Sequence, residues 1–422
     1  MISRERMSRD FAEMAKCSDT QGEQGITRLA FSDSDWQGRA YIISQMKEAG
    51  LMVREDAFGN VIGRLEGKQK DLPPVLFGSH GDSVPSGGNY DGAVGILAAV
   101  EVIRSLKEEG FVPEHPLEVV LFMCEESSRF GAATLGSRAM RGKLTKEDLQ
   151  RLQDGQGKAL YDVLRERGLQ PDKLDTAIYP QPPKAFFEVH IEQGKVLEHA
   201  QIPLGVVTGI AAPTRMRVYL HGKADHSGAT PMNLRHDGLC AAAEIVLKLE
   251  ELAAVRCEPP VVGTVGILKV QPGVMNVIPG ECELGVDIRS ISATAKDAVE
   301  AGLRQAIGEI CQRRDIAYDI KEVSKEEPVA MRPAMVKFLE GICQEQGQKS
   351  MALPSGAGHD GMHWADFAPV GMLFIPCREG ISHNPAEYAS LEDILNVTGI
   401  LEAAVKAASQ ADRSFWPLAD FE

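Results

Sequence analysis

Three short apolar runs leave few folds open to this chain: PVLFGS (Pro74–Ser79), LEVVLFMC (Leu117–Cys124) and KAFFEVHI (Lys184–Ile191). None alternates polar with apolar residues, so each, as a strand, must be covered on both faces. Helices crossing over between strands provide that cover. Gly92–Leu106 supplies one such helix, because Val94, Leu97, Ala98, Val102 and Leu106 recur at helical spacing. The expected fold is α/β, with a mixed or parallel sheet. The polar stretch from about Leu144 to Pro183, ending in PQPP, reads as a helical insertion followed by a loop.

After Pro213 the texture changes. Met216–His221 alternates as a half-exposed strand, and Leu239–Leu252 is a helix. Val261–Val270 and Glu281–Ser290 read as strands, Ala295–Arg313 as a helix and Ile316–Val323 as a last strand. That β-α-β-β-α-β order is ferredoxin-like and long enough to stand as its own domain. From Arg332 the chain returns to helix, strand and loop, with a strand at Gly371–Pro376 and a closing helix from Leu391. The expected organisation is a catalytic α/β domain of residues 1–212 and 330–422, interrupted by a smaller α+β domain of residues 213–329.

Composition narrows the function classes. The chain has 422 residues, 44% of them hydrophobic, enough for a large core. Lys and Arg number 45 against 60 Asp and Glu, a net charge of −15. Such a surface repels phosphate backbones and anionic lipid, so neither nucleic acid nor a membrane is an expected partner. A small anion can still be held in a local basic pocket. The eight cysteines (17, 124, 240, 257, 282, 311, 343 and 377) form no C-x-x-C pair and read as reduced thiols. The start, MISRERMSRDFAEM, lacks the apolar core of a signal peptide, and no apolar run approaches a membrane span. The expectation is a soluble cytoplasmic protein. A serine hydrolase is excluded by the absence of a G-x-S-x-G elbow.

Chemistry gathers at strand ends and loops. His80 closes the first apolar run in GSHGDS, where ligands of open α/β sheets collect. Asp82, two residues on, can accept the other ring N–H of His80. Asp91 follows in GGNYDG, Glu125 and Glu126 in MCEES, His190 in EVHIEQG and His383 in GISHNPAE. Three imidazoles and three carboxylates make a nitrogen–oxygen donor set suited to zinc, with manganese, cobalt or nickel as alternatives. Glu125, beside a ligand but aimed differently, fits a general base. Gln193 offers an amide for hydrogen bonding, and His226, in DHSGATP, can stabilise an oxyanion. Asn276, in GVMNVIPG, and Arg289, in DIRS, can clamp a carboxylate, which Arg does by paired hydrogen bonds. His115, His199, His221, His236 and His363 read as structural or surface residues, and Cys124 as a small buried one.

GSHGDSVPSGGNYDG, EES, HIEQG, SGATPM, SGAGHDG and GISHNPAE together resemble the amidase/hydantoinase/carbamoylase family, across nearly the whole chain. This is the branch of the dinuclear zinc aminoacylase–carboxypeptidase superfamily that holds N-carbamoyl-L-amino acid hydrolases and allantoate amidohydrolases. It also holds ureidoglycolate hydrolases and β-ureidopropionases. HIEQG and SGAGHD are similar to this branch rather than to the peptidases.

The resemblance implies two divalent metal ions per subunit, zinc first. His80 and His190 would hold one, Glu126 and His383 the other, with Asp91 bridging and Glu125 as base. It also implies that Gln193, Asn276, Arg289 and the Gly358 backbone bind a small carboxylate substrate, with His359 in support. His226 would act within its own subunit or from the neighbouring one of a homodimer formed through the inserted domain, which would close on the substrate. The implied reaction is hydrolysis of a linear amide, the ureido C–N bond of an N-carbamoyl-L-amino acid. Allantoate or ureidoglycolate hydrolysis is the alternative: Asn89 in GGNYDG is similar to the allantoate enzymes, and FGAATLGSRAM to the carbamoylases. An aminoacylase or dipeptidase fits HIEQG less well. A non-enzymatic binding module would be expected to have lost a ligand or the base, and this chain has lost neither.

Overall fold

Each apolar run becomes the strand its composition requires in this computed structural model, which describes residues 1–20, 24–255 and 259–410. Val75–His80, Leu117–Phe122 and Ala185–Ile191 are buried along their whole length. Val75–His80 runs parallel to both of the others, and Ala185–Ile191 runs parallel to Val370–Ile375. Antiparallel strands extend the two sides: Val61–Leu65 and Met52–Glu55 beyond Leu117–Phe122, and Leu204–Ile210 beyond Val370–Ile375. The sheet is therefore mixed. The Leu117–Cys124 run stops as a strand at Phe122, because the Met123 N–H is taken by Asn60 Oδ1 and Cys124 turns into the left-handed region.

Strand alternation divides the side chains between two cores. Phe77, Val119, Leu121, Phe187, Val189 and Leu373 face the helices Ala93–Glu108 and Leu391–Gln410. The other face carries an aromatic cluster in which Phe186 lies 5.9 Å from Phe122 and 5.7 Å from Trp364. His80 is level with Phe122 and His190 with Phe374, which sets both imidazoles on this second face. The segment from Leu144 holds the short helices Lys146–Arg151 and Leu160–Glu166, and Leu149, Leu160 and Leu164 join Phe31, Phe58 and Phe130 in a separate core.

The chain divides into two compact units. The larger contains Met1–Thr208, Met331–Leu353 and the chain from Gly358, and the smaller contains Gly209–Ala330 with Pro354–Ala357. The smaller unit has a four-stranded antiparallel sheet in the order Ala317–Lys325, Ala212–His221, Glu281–Ser290, Val261–Gln271. With its helices Gly238–Ala254 and Ala293–Arg314 this is the ferredoxin-like order. Leu220, Leu284 and Ile288 meet Ile245, Leu249, Leu303 and Ile307 in its core. Its first strand starts at Ala212 rather than after Pro213. Proline lacks only the donor, and the Pro213 carbonyl still accepts the Glu326 N–H. Among the described residues seven cysteines are free thiols, and Cys257 lies outside them. No described helix is long and apolar enough to cross a membrane.

Candidate active site

Two groups of metal-type donors share one carboxylate. His80, Asp91 and His190 form the first and Asp91, Glu126 and His383 the second, with the ligand atoms of each group within 4.8 Å of one another. Asp91 Oδ1 lies 3.4 Å from His80 Nε2 and 3.1 Å from His190 Nε2. Its other oxygen, Oδ2, lies 3.4 Å from His383 Nε2, which is 3.3 Å from Glu126 Oε1. The two oxygens of one side chain thus face two different donor groups, the geometry of a bridging ligand. Nitrogen and oxygen donors at these separations fit a pair of divalent cations.

Strand ends and tight turns aim these groups. Gly92 precedes the helix Ala93–Glu108 at φ 63°, and a Cβ there would stand 2.3 Å from the His80 ring. Only glycine allows that approach. The His80 Nδ1 contact goes to the Asp82 backbone carbonyl at 3.1 Å, not to the Asp82 carboxylate, which is 3.6 Å away. That carboxylate instead accepts the N–H groups of Glu125 and Glu126, at 3.2 and 3.1 Å. The Glu125–Glu126 turn presents two backbone donors, and they draw the Asp82 side chain away from the ring. His190 Nδ1 is turned to the Ile191 carbonyl at 2.9 Å, leaving Nε2 toward Asp91. Cys124, Gln193 and His383 all have left-handed backbones, with φ of 58°, 55° and 56°. Such strain concentrates where a site over-determines its backbone.

Burial and neighbouring charge set the protons. Burial, reinforced by Glu126, Asp360 and Asp82, pushes Glu125 well above the usual carboxylate range, against the pull of His80. Burial also raises Glu126. Asp91 is driven the other way: burial opposes, yet His190, then His383 and His80, hold it well below the usual range. Hydrogen bonds to Asp91 and Glu126 push His383 up to about 11. His80 and His190 are raised despite burial, by Glu125 above all for His80 and by Asp91 for His190.

Gln193 stands against this centre. Its Nε2 donates to Asp91 Oδ2 at 2.6 Å, and its buried Oε1 has no hydrogen-bond partner among the described residues. Asn89 donates its amide N–H to the Phe11 carbonyl at 3.0 Å and, like Gln193, has a buried oxygen with no hydrogen-bond partner among the described residues. His359 is buried behind His190, ring centroids 4.6 Å apart, and burial holds it well below the usual imidazole range. Gly358 leads into it with open space where a side chain would be, Met362 Sδ at 3.8 Å being its near neighbour.

The sequence reading passed over Ser382 and Glu387. Glu387 Oε1 accepts the N–H groups of Tyr90 and Asp91, both at 3.0 Å. Ser382 Oγ bridges Asp91 Oδ2 at 2.9 Å and Glu387 Oε2 at 3.1 Å. Both lie inside GISHNPAE beside His383, but their partners Tyr90 and Asp91 lie far off in the chain, so the sequence carries no signal for them.

The smaller unit carries the other three candidates. His226 is exposed, and its Nδ1 accepts N–H groups from Gly228 and Ala229, both at 3.1 Å. The neutral ring therefore carries its hydrogen on Nε2, as a donor. Asn276 is its neighbour: the Asn276 carbonyl accepts the Ser227 N–H, and Val277 pairs with His226. Arg289 donates through Nε and Nη2 to Asp287 and through Nη1 to the Gly356 carbonyl at 3.0 Å, leaving two of its five N–H groups. Within one chain Arg289 and Asn276 are far apart. Asn276 lies beyond the Glu281 end of the Glu281–Ser290 strand, and position 289 is ~27 Å along that strand from position 281. One chain does not close both on a single carboxylate.

A family model described as Peptidase family M20/M25/M40 matches residues 76–407. An N-carbamoyl-L-amino acid amidohydrolase of Geobacillus stearothermophilus is 42% identical over 394 residues, 93% of this chain and 95% of its own. A ureidoglycolate hydrolase of Oryza sativa subsp. japonica is 37% identical, over 97% of this chain and 85% of its own. Among solved structures, a hydantoinase/carbamoylase family amidase from Burkholderia multivorans superimposes with a TM-score of 0.91 at 35% identity, covering 97% of this chain and 98% of its own.

Proposed function

Since the chain belongs to peptidase family M20/M25/M40, a family of metal-dependent hydrolases, we propose that it cleaves the ureido C–N bond of N-carbamoyl-L-amino acids. The observation that carries this reading is Asp91 shared between two donor groups, with Glu125 beside them and the Gln193 oxygen free to accept a ureido N–H. His80 and His190 would hold one divalent cation and Glu126 and His383 a second, with Asp91 between the two groups, zinc first and manganese, cobalt or nickel as alternatives. Bound there, the cations supply Lewis acidity and lower the pKa of the attacking water.

The chain's own residues do the rest. Glu125 takes the proton from the attacking water and passes it to the departing amino-acid nitrogen. Bond cleavage releases the amino acid and carbamic acid, which falls apart to ammonia and carbon dioxide. The His226 Nε2–H donates to the oxyanion that forms on the ureido carbon. Arg289, with its two remaining N–H groups, Asn276 and the Gly358 backbone hold the substrate carboxylate.

The ~27 Å along the strand supports a site completed in trans. One subunit of a homodimer supplies Arg289 and the other supplies Asn276 and His226. The outer edge of the Val261–Gln271 strand, with Val262 and Leu268 exposed, and Leu247 on the adjacent helix supply apolar surface for that dimer. The acidic surface and free thiols fit a cytoplasmic protein that binds neither nucleic acid nor membrane. Ureidoglycolate or allantoate hydrolysis by the same residues is the second reading, favoured by the rice relative.

The test is amine release from a panel of N-carbamoyl-L-amino acids, allantoate, ureidoglycolate, N-acetyl amino acids and dipeptides. Metal-stripped protein would be compared with protein reloaded with zinc, manganese or cobalt. Metal-dependent cleavage confined to a ureido substrate is expected. Cleavage of dipeptides or acetyl compounds alone would overturn the substrate class.

A further inference from the structure

Thr134 sits in the left-handed region, at φ 56° and ψ 33°, a conformation β-branched residues rarely adopt. Its place explains the cost. The Thr134 N–H donates to the Glu125 carbonyl at 2.6 Å, and the next N–H, of Leu135, donates to the Cys124 carbonyl at 2.9 Å. Cys124 is itself left-handed, so two strained non-glycine residues face each other across the turn that carries Glu125. One residue further on, Asn60 ties the Met123 N–H to the Gly136 carbonyl, at 3.0 and 3.1 Å.

Glycine would adopt this conformation freely, so the side chain of Thr134 needs its own reason. The Thr134 hydroxyl lies 2.7 Å from His363 Nε2, and Thr134 is only 4% exposed. His363 is anchored in turn, its carbonyl accepting from Arg141 Nε at 3.1 Å while Arg141 stacks 3.5 Å over the Phe367 ring. Burial, then Lys143 and Arg138, push the imidazole down to about 3, so the partner of the hydroxyl is a neutral ring.

We propose that Thr134 and His363 are positioning residues that clamp the backbone carbonyl of Glu125, whose N–H the Asp82 carboxylate holds, and so fix where the base points. This rests on Glu125 being the base. With its N–H held by Asp82 and its carbonyl by Thr134, Glu125 has both of its backbone polar groups tied.

The experiment uses the metal-loaded protein and the N-carbamoyl-L-amino acid it cleaves. Thr134→Val, Thr134→Gly and Thr134→Ser would each be made in the wild-type and in the Glu125→Gln background. Thr134→Gly relieves the backbone strain, so it folds even where valine does not. Both hydroxyl-free variants should lose about 10- to 100-fold in kcat, the scale of a misaimed catalytic group, with KM and bound metal per chain unchanged. Thr134→Ser should restore the rate. In the Glu125→Gln background the same substitutions should cost nothing further, because the residue acts only through the base. A folded, metal-loaded Thr134→Gly with full kcat, or equal losses in both backgrounds, would overturn the clamp and leave the base intact. Full activity in Glu125→Gln alone would overturn both.

Discussion

Asp91 shows different oxygens to two groups of donors, and the residue after it has no room for a side chain. At that scale the site is stiff. Gly92→Ala should drive a Cβ into the His80 ring and force a helix start at φ 63° that alanine resists. We expect it to fold with most of its metal uptake gone, read as bound zinc per chain after dialysis. Proton release should accompany loading. With His383 pushed up to about 11 by its hydrogen bonds to Asp91 and Glu126, and His80 and His190 also raised, the metal-free site holds protons at neutral pH that cation binding must expel. Affinity should therefore rise with pH, and titration in buffers of different ionisation heat should show net release. No release would contradict the liganding role of the histidines. His80, Asp91, Glu126, His190 and His383 stand out in the sequence because they sit at or near the ends of apolar runs or in loops. Asp82, Glu387 and His363 do not, since their hydrogen bonds join segments far apart in the chain.

Three segments converge as elements on the Asp91 turn: the Cys124–Glu126 turn, the loop after the Ala185–Ile191 strand and the loop carrying His383. Glu387 ties the last of these to the Asp91 turn through the N–H groups of Tyr90 and Asp91, and Ser382 adds a bridge. Glu387→Ala should loosen Asp91 and weaken metal binding by about 10- to 100-fold, the usual effect of losing a ligand's support. Competition with a chelating dye measures this, and unchanged affinity would make Glu387 a fold residue only. The three buried strands Val75–His80, Leu117–Phe122 and Ala185–Ile191 were legible to within a residue or two because continuous apolar runs admit one solution. Their ends were less so: the run through Cys124 looked like strand to its last residue, and only Asn60 and Thr134, outside it, explain the turn two residues earlier.

The whole molecule poses the question of which chain completes which site. The strand order of the smaller unit could be read from β-α-β-β-α-β alone, but not that its ladder holds Asn276 and Arg289 apart. If His226 serves the partner's site, mixing inactive His226→Ala with inactive Glu125→Gln chains should regain about one quarter of the wild-type sites, since half the dimers are mixed and each has one intact site. A monomer, or a mixture that stays inactive, would refute completion in trans. The central claim is tested most directly by titrating chelator-stripped protein with zinc while following amino-acid release from an N-carbamoyl-L-amino acid, in wild type and in Glu125→Gln. The expected result is activity that appears only with metal and saturates near two ions per chain, with the variant binding the same metal but turning over about 10²- to 10⁴-fold more slowly. Turnover by the stripped protein, or an undiminished rate in Glu125→Gln, would contradict it.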